Sequence, residues 1–373
     1  MKITLLYSQP HSGHAQAARA LAAQWKKTAP QIQTQEMDWI TRIYPVLGPW
    51  VAKAYLEMLK RTPALWDYLY DNKQVAEVTG EIRRLFHCLD AAKVHSILEE
   101  TSPDAVVCTH ALPCSTLALE KAQGKFHRPL VAVITDFMPH LYWIHEGVDL
   151  YLAPNEESSQ ELIRMGIPEE RIRITGIPIQ PSFRETLPKE TARERLGLRP
   201  DRFTLLIVGG GHGIGPIQGI LEALQNSDIS CQTIVVTGRN EKLREELSGR
   251  PTILLGYADN MPLLMSAADV LIGKAGGLTC SEALSKKLPM LLVQPLPGQE
   301  ENNSRYLVKQ NAAMRLNHLR ELTQALRSLA AQPEKLRRMG ENAGRIARSD
   351  SQELACNAIL NLCSMVRRQK NVV

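Results

Sequence analysis

The sequence predicts an α/β protein made of two Rossmann-like domains in tandem, and three observations predict it. The chain has 373 residues, more than one hydrophobic core ordinarily supports. From residue 203 onward the apolar runs "FTLLIVG", "QTIVVTG", "TILLG", "DVLIG" and "PMLLVQ" alternate with amphipathic stretches of helical length, as in a parallel sheet with helices on both faces. The first half repeats the pattern with "ITLLYS", "QTQEMD", "DAVVCT", "LVAVIT" and "DLYLAP".

Composition narrows the class. With 44% apolar and 22% charged residues the chain reads as folded and soluble. The net charge of +5 comes from 44 basic and 39 acidic residues spread along the chain, which argues against nucleic acid as a partner and is compatible with an anionic lipid surface or a phosphate-bearing ligand. Seven cysteines, Cys88, Cys108, Cys114, Cys231, Cys280, Cys356 and Cys363, form no CxxC pair and no zinc-like spacing, so reduced thiols in the cytoplasm are expected. The apolar run in "MKITLLYSQPH" is too short for a signal peptide, and no stretch approaches the ~18–20 apolar residues of a membrane span. Any membrane contact is therefore expected to be peripheral.

The elements follow in order. "LLYSQPHSGHAQAARAL", residues 5–21, is a strand, a turn and an alanine-rich helix. In nucleotide-binding α/β proteins this first turn holds phosphate with glycines, but here only Gly13 stands between Ser12 and His14. The missing GxGxxG excludes an NAD oxidoreductase, although Asp38 ends the second strand where a ribose-binding acid would stand. Residues 39–71 then break the pattern, carrying three of the five tryptophans and four of the nine tyrosines among Arg42, Lys53, Lys60 and Arg61. That mixture suits a membrane interface, and equally a helical excursion whose aromatics fill a core. Pro178, Pro181 and Pro188 place the linker near residues 177–200. The last segment, "SQELACNAILNLCSMVRRQ", is a helix with Ser351 as its start signal.

The second half supplies the glycine loops that the first lacks. In "LLIVGGGHGIGPIQGILEAL", residues 205–224, Gly209, Gly210, Gly211, Gly213 and Gly215 precede a helix whose N-terminus can face an anion, although neither the dinucleotide nor the P-loop spacing is present. A backbone-held nucleotide diphosphate and a purely structural turn are both open readings. In "LIGKAGGLTCSEAL", Gly276 and Gly277 open a helix, Thr279 can bond a phosphate oxygen, Lys274 adds a charge, and Glu282 can accept both hydroxyls of a ribose. "VTGRN" brings Gly238, Arg239 and Asn240 to the end of a neighbouring strand. "PLPGQEENN" gathers Gln299, Glu300, Asn302 and Asn303 on a loop, where carboxylate and amide groups match a polyhydroxylated ligand as well as they match solvent. The chain has no Asp-x-Asp, no HExxH and no clustered His/Cys set, so metal independence is expected.

In that order, "GGGHGIGPI", "VVTGRN", "MPLLMSAADVLIGKAGGLTCSEAL" and "PGQEENN" resemble the monogalactosyldiacylglycerol synthases and processive diacylglycerol glucosyltransferases, and more distantly the lipid-linked N-acetylglucosaminyltransferase of peptidoglycan synthesis. "MDWI", "RTPALWDYLY", "ITDF…HLYW" and "RIRITGIPIQPSF" extend the resemblance through the first half. The resemblance implies a GT-B fold, with two Rossmann-like domains facing across a cleft: residues 1–180 for the acceptor, with a membrane segment at 39–75, residues 181–349 for the UDP-sugar, and a helix at 350–373 packing back on the first domain. It implies an inverting transfer of glucose or galactose from UDP-glucose or UDP-galactose to diacylglycerol or its monoglycosylated product, at an anionic membrane surface on the inner face of the cell membrane. No cofactor and no metal are implied. Gly211, Gly213, Gly276 and Gly277 would lie near the diphosphate, Gly238, Arg239 and Asn240 beside the nucleotide, Tyr257 beside uracil, and Glu282 on the ribose. Gln299, Glu300 and Asn302 would face the hexose. Asp38 matches the aspartate proposed as base, and His14 a histidine of the acceptor loop. The chain departs from that family at "QPHSGH", where a glycine triplet is usual before the histidine, and at His212, where an acidic residue is common. A lipid-linked N-acetylglucosaminyltransferase-like enzyme, a UDP-sugar epimerase of the same fold and a non-catalytic UDP-sugar sensor are the competing readings.

Overall fold

The computed structural model describes residues 1–45, 93–94, 96–296 and 298–372, so residues 46–75 of the aromatic and basic segment lie outside the described residues. The chain divides into two compact units, Met1–Pro181 with Asp350–Val373, and Ser182–Ser349.

The first unit holds a six-stranded parallel sheet in the order β2-β1-β3-β4-β5-β6. Its strands are β1 (Lys2–Tyr7), β2 (Gln33–Asp38), β3 (Ala105–Cys108), β4 (Leu130–Val133), β5 (Leu150–Ala153) and β6 (Ile172–Ile174). β3, β4 and β5 are buried along their whole length, as continuous apolar runs must be when helices cover both faces of a sheet. β2, "QTQEMD", lies at the edge and is polar accordingly. The second unit repeats the plan in the order β12-β11-β10-β7-β8-β9. Its strands are β7 (Phe203–Val208), β8 (Cys231–Val236), β9 (Ile253–Leu255), β10 (Val270–Gly273), β11 (Met290–Val293) and β12 (Ala313–Leu316). Two parallel Rossmann-like sheets are thus present, as the alternation of the sequence requires.

The helices that matter here are α1 (Gly13–Thr28), α2 (Trp39–Ile43), α3 (Ala111–Ala122), α4 (Lys189–Arg195), α5 (Glu241–Glu246), α6 (Gly277–Ser285), α7 (Gln299–Lys309) and α8 (Ser351–Val372). Small residues let α1 pack closely. Ala15, Ala18, Leu21 and Trp25 share one buried cluster with Ala355, Cys356, Ile359 and Cys363 of α8. An ion pair from Arg367 to Asp104, 3.1 Å, holds α8 further along. The six described cysteines are free. Among the described residues no helix is long and apolar enough to cross a membrane.

The boundary between the units falls inside the proline-marked stretch 177–200. The units divide at Pro181, and the residues beyond it are built into the second unit. Phe183 is buried, and Pro188 precedes α4. There the buried Arg193 donates to Asp269 (2.6 Å), to the Ala267 carbonyl (3.0 Å) and to the Pro200 carbonyl (2.6 Å). A buried guanidinium with that many acceptors anchors a segment, and the prolines mark turns within it.

Candidate functional site

In each sheet the order of strands reverses at one point: between β1 and β3 in the first unit, and between β7 and β10 in the second. Open α/β sheets bind ligands at the carboxyl ends of the strands beside such a point. The singled-out residues gather at these two edges.

In the first unit the register sets Leu6 beside Cys108, Cys108 beside Ala132, and Tyr7 beside Asp38, so the turns after β1 to β4 emerge together. His14 lies in the first turn of α1, whose N-cap Ser12 accepts from the Ala15 amide. Thr109 holds it twice: its carbonyl faces His14 Nδ1 at 2.8 Å, and its hydroxyl donates to the His14 carbonyl at 2.8 Å. A carbonyl has no proton to give, so Nδ1 carries the hydrogen and Nε2 keeps a lone pair. The Thr135 hydroxyl lies 2.8 Å from the same Nδ1. Burial pushes the His14 pKa down to about 4, against the opposing pull of the Thr109 carbonyl. The ring is therefore neutral at physiological pH.

His110 stands edge-on to it, with ring centroids 4.6 Å apart and planes at 84°. It caps α3 by accepting from the Leu112 amide at Nδ1, which puts its own hydrogen on Nε2. Burial first, then its histidine neighbours His14 and His140, hold its pKa well below the ordinary value. The sequence reading missed Thr109, His110 and Thr135. The signal was available in "VVCTH", where a histidine follows a buried strand and opens a helix, as His14 does after β1.

Asp38, read as a base, is the N-cap of α2. Its Oδ1 accepts from the amides of Ile40 and Gln9, each at 3.2 Å, and its Oδ2 accepts from the Thr41 hydroxyl at 2.6 Å. Three donors leave the carboxylate one free lone-pair direction, on Oδ2. The Gln9 amide reaches Asp38 from a left-handed backbone, φ 68°, a conformation rare for a residue with a side chain.

In the second unit the glycines serve two different ends. A Cβ on Gly213, φ 60°, would stand 1.9 Å from the Thr237 carbonyl oxygen, and one on Gly238, φ 59°, would stand 2.4 Å from that of Gly210. These two glycines lock the loops after β7 and β8 together, with the Arg239 amide donating to the Gly211 carbonyl at 3.1 Å. At Gly213 and Gly238 the missing side chain is therefore required by the neighbouring backbone itself. Gly213→Ala is accordingly expected to cost about 2–4 kcal/mol, read as a lower midpoint in urea. An unchanged midpoint would show that the loops part without penalty. Asn240 belongs to the same lock, capping α5 through Leu243 and donating to the Gly213 carbonyl at 3.3 Å. Arg239 is exposed, with its guanidinium over the Tyr257 ring at 5.8 Å. His212 is half-buried in the same loop.

Gly276 is different. It is the N-cap of α6, no side chain caps that helix, no acidic residue occupies its first turn, and a Cβ at Gly276 would meet nothing within 4 Å. The first amides of α6 are thus left for an outside acceptor. Gly277 is buried as the first helical residue, and Thr279 follows half-buried two positions on. Lys274 precedes them, with its stem 3.8 Å from where a Gly215 Cβ would be. One turn in, Glu282 is only 8% exposed, and burial pushes its carboxyl up to about 8.

Gln299, Glu300, Asn302 and Asn303 are not on a loop. Gly298 takes the positive φ of 82° that turns the chain into α7, and all four lie on the first turns of that helix. The cluster of polar side chains that suggested a loop is the polar start of a helix, where carboxylates favour the dipole. Glu300 reaches back to accept from the Leu296 amide at 2.8 Å and pairs with Lys274 at 2.7 Å. Asn302 accepts from Arg305, and the buried Asn303 donates to the Ala275 carbonyl at 2.9 Å.

Comparison with known proteins says which chains share this arrangement. Residues 14–179 match the monogalactosyldiacylglycerol (MGDG) synthase model, and residues 204–355 match the glycosyltransferase family 28 C-terminal domain. The processive diacylglycerol beta-glucosyltransferase of Bacillus subtilis is 27% identical over 98% of this chain and 96% of its own. The enzyme of that name from Bacillus cytotoxicus is 28% identical over 94% of this chain and 90% of its own. Among solved structures, Acinetobacter baumannii MurG superposes with a TM-score of 0.61 at 15% identity, covering 96% of this chain and 99% of that one. S. aureus MnaA, solved with UDP, gives a TM-score of 0.61 at 15% identity over 97% of each. These likenesses carry the GT-B-like fold. By sequence, then, the first half of the chain is similar to the MGDG synthases and the second half to glycosyltransferase family 28 C-terminal domains, and over nearly its whole length it is similar to processive diacylglycerol beta-glucosyltransferases.

Proposed function

We propose that the protein transfers a hexose, glucose or galactose, from a UDP-sugar to the hydroxyl of diacylglycerol or of its monoglycosylated product, with inversion, at the surface of a membrane. The observation that carries this reading is the opening of α6, where unclaimed amides, an open Gly276 and Lys274 meet at the switch point of the second sheet. The curated relatives supply the ligand class: their names specify a glucosyl group and diacylglycerol.

In this reading the second unit holds the donor. The α6 amides and Lys274 face the diphosphate, Tyr257 and Arg239 the nucleotide base, Glu282 the ribose, and Gln299, Glu300 and Asn302 the hexose. The first unit holds the acceptor. The acceptor oxygen bonds to the anomeric carbon while the bond from that carbon to the diphosphate breaks. The hydroxyl proton passes to His14 Nε2, and UDP leaves with the electron pair. We assign the base to His14 because its lone pair is fixed in tautomer and direction by Thr109. Asp38 then orients the loop before α1 through the Gln9 amide. The α6 amides and helix dipole meet the leaving group's charge, and no step is assigned to a metal.

The test is to incubate purified protein with UDP-glucose or UDP-galactose and diacylglycerol vesicles, measuring UDP release and new glycolipid together. The expected result is equal amounts of both with at least one donor. Nucleotide binding with no product in any pairing would leave a sensor and end the transferase reading.

A further inference from the structure

Lys274 stands where a diphosphate would need a cation, yet its charge is already met. Its ammonium lies 2.7 Å from Glu300 Oε1, and each side chain is only 18% exposed. The pair is held by structure rather than by chance encounter, because Glu300 Oε2 accepts from the Leu296 amide at 2.8 Å. The Asn303 side chain, one turn along the same helix, donates to the Ala275 carbonyl beside Lys274 at 2.9 Å. The start of α7 is therefore fastened to the loop that opens α6, and it brings a carboxylate to the one lysine of that loop. A site built only for tight anion binding would leave that lysine unpaired.

We propose that Glu300 is a charge-balancing residue, whose carboxylate neutralises Lys274 so that the site releases the nucleoside diphosphate after transfer. This rests on the nucleotide-sugar reading above. Breaking the sugar–phosphate bond turns a diester-like phosphate into a terminal one, and the product carries an additional negative charge at neutral pH. A lone lysine beside the opening of α6 would bind the more charged product better than the substrate, and turnover would stall. With Glu300 alongside, the extra charge gains little. The backbone amides of α6, which lie close to the ligand whatever its charge, then carry the binding.

Calorimetric titration with UDP, which has no hexose, isolates this role from any contact Glu300 makes to a sugar. Glu300→Gln keeps an oxygen for the Leu296 amide and removes only the charge. The expected result is UDP binding about tenfold tighter than wild type, the effect of one partly screened charge a few ångströms away, with a steeper dependence on salt. The gain should vanish in the double variant Glu300→Gln/Lys274→Met. Unchanged UDP affinity in Glu300→Gln would mean a sugar contact only, and weaker affinity would mean a structural prop; either overturns the proposal. A gain that persists without Lys274 overturns it too. Failure of the wild type to bind UDP would overturn the nucleotide reading itself, a result distinct from all of these.

Discussion

His14→Ala is expected to lower turnover by about 10²–10⁴-fold with UDP-sugar affinity unchanged, the loss typical of removing a positioned general base. The expectation follows from three features of the ring: Nδ1 is spent on the Thr109 carbonyl, Nε2 keeps its lone pair, and burial holds the pKa at about 4. The last sets the pH dependence. The ring is neutral and able to accept a proton well above pH 4, and it loses that ability as pH falls through about 4. kcat/KM should therefore stay flat from neutrality to about pH 5 and decline below it. Asp38→Asn provides the contrast, because an amide oxygen can still accept from the Ile40 and Gln9 amides and keep the cap. If Asp38→Asn abolishes turnover while His14→Ala leaves it within threefold of wild type, the base is Asp38 and the assignment made above is wrong.

Glu282→Gln is expected to stabilise the free protein at neutral pH while weakening its hold on the nucleotide. Burial raises the carboxyl pKa from 4.5 to about 8. Below pH 4.5 the group is protonated in both folded and unfolded chains, and it costs nothing. As pH rises toward 8 the unfolded chain ionises and the folded one does not, so stability drains away over that window. By pH 7 the loss amounts to about 3 kcal/mol. Glutamine, which does not ionise, escapes it, so urea midpoints of the two proteins should coincide near pH 4 and separate by pH 7. The same substitution replaces the carboxyl group proposed to bond the ribose hydroxyls with an amide that has one acceptor oxygen fewer, and UDP affinity should fall. Coincident midpoints across the whole range would show that Glu282 is solvated after all.

The sequence made the fold legible because its apolar runs are short, continuous and evenly spaced, which only a parallel sheet covered on both faces explains. "DAVVCT" and "DVLIG" became fully buried strands for that reason. The site was legible in part. Gly276 and Lys274 could be found because a helix opened by glycine advertises free amides. Gly213 and Gly238 looked the same in sequence, and only the distance between loops far apart in the chain shows that they also make room for backbone. The pairing of Lys274 with Glu300 was hidden for the same reason, since 26 positions separate two side chains that the sheet brings together. His110 was missed because 95 positions separate its neighbour Thr109 from His14, and only the parallel pairing of β1 with β3 sets the His14 and His110 rings edge-on.

The return of α8 to the first unit also bears on how the chain is made. The second unit is contiguous, from Ser182 to Ser349, and everything it needs has been synthesised before the last helix emerges. The first unit begins earlier but ends later: the apolar faces of Ala15, Ala18 and Leu21 wait for Ala355, Ile359 and Cys363. On a ribosome adding ~5–20 residues per second, the first unit stays incomplete throughout the synthesis of the second. The unit translated first is the unit finished last, and a chain halted before Ser351 would carry a complete second unit and a first unit with its α1 groove still open.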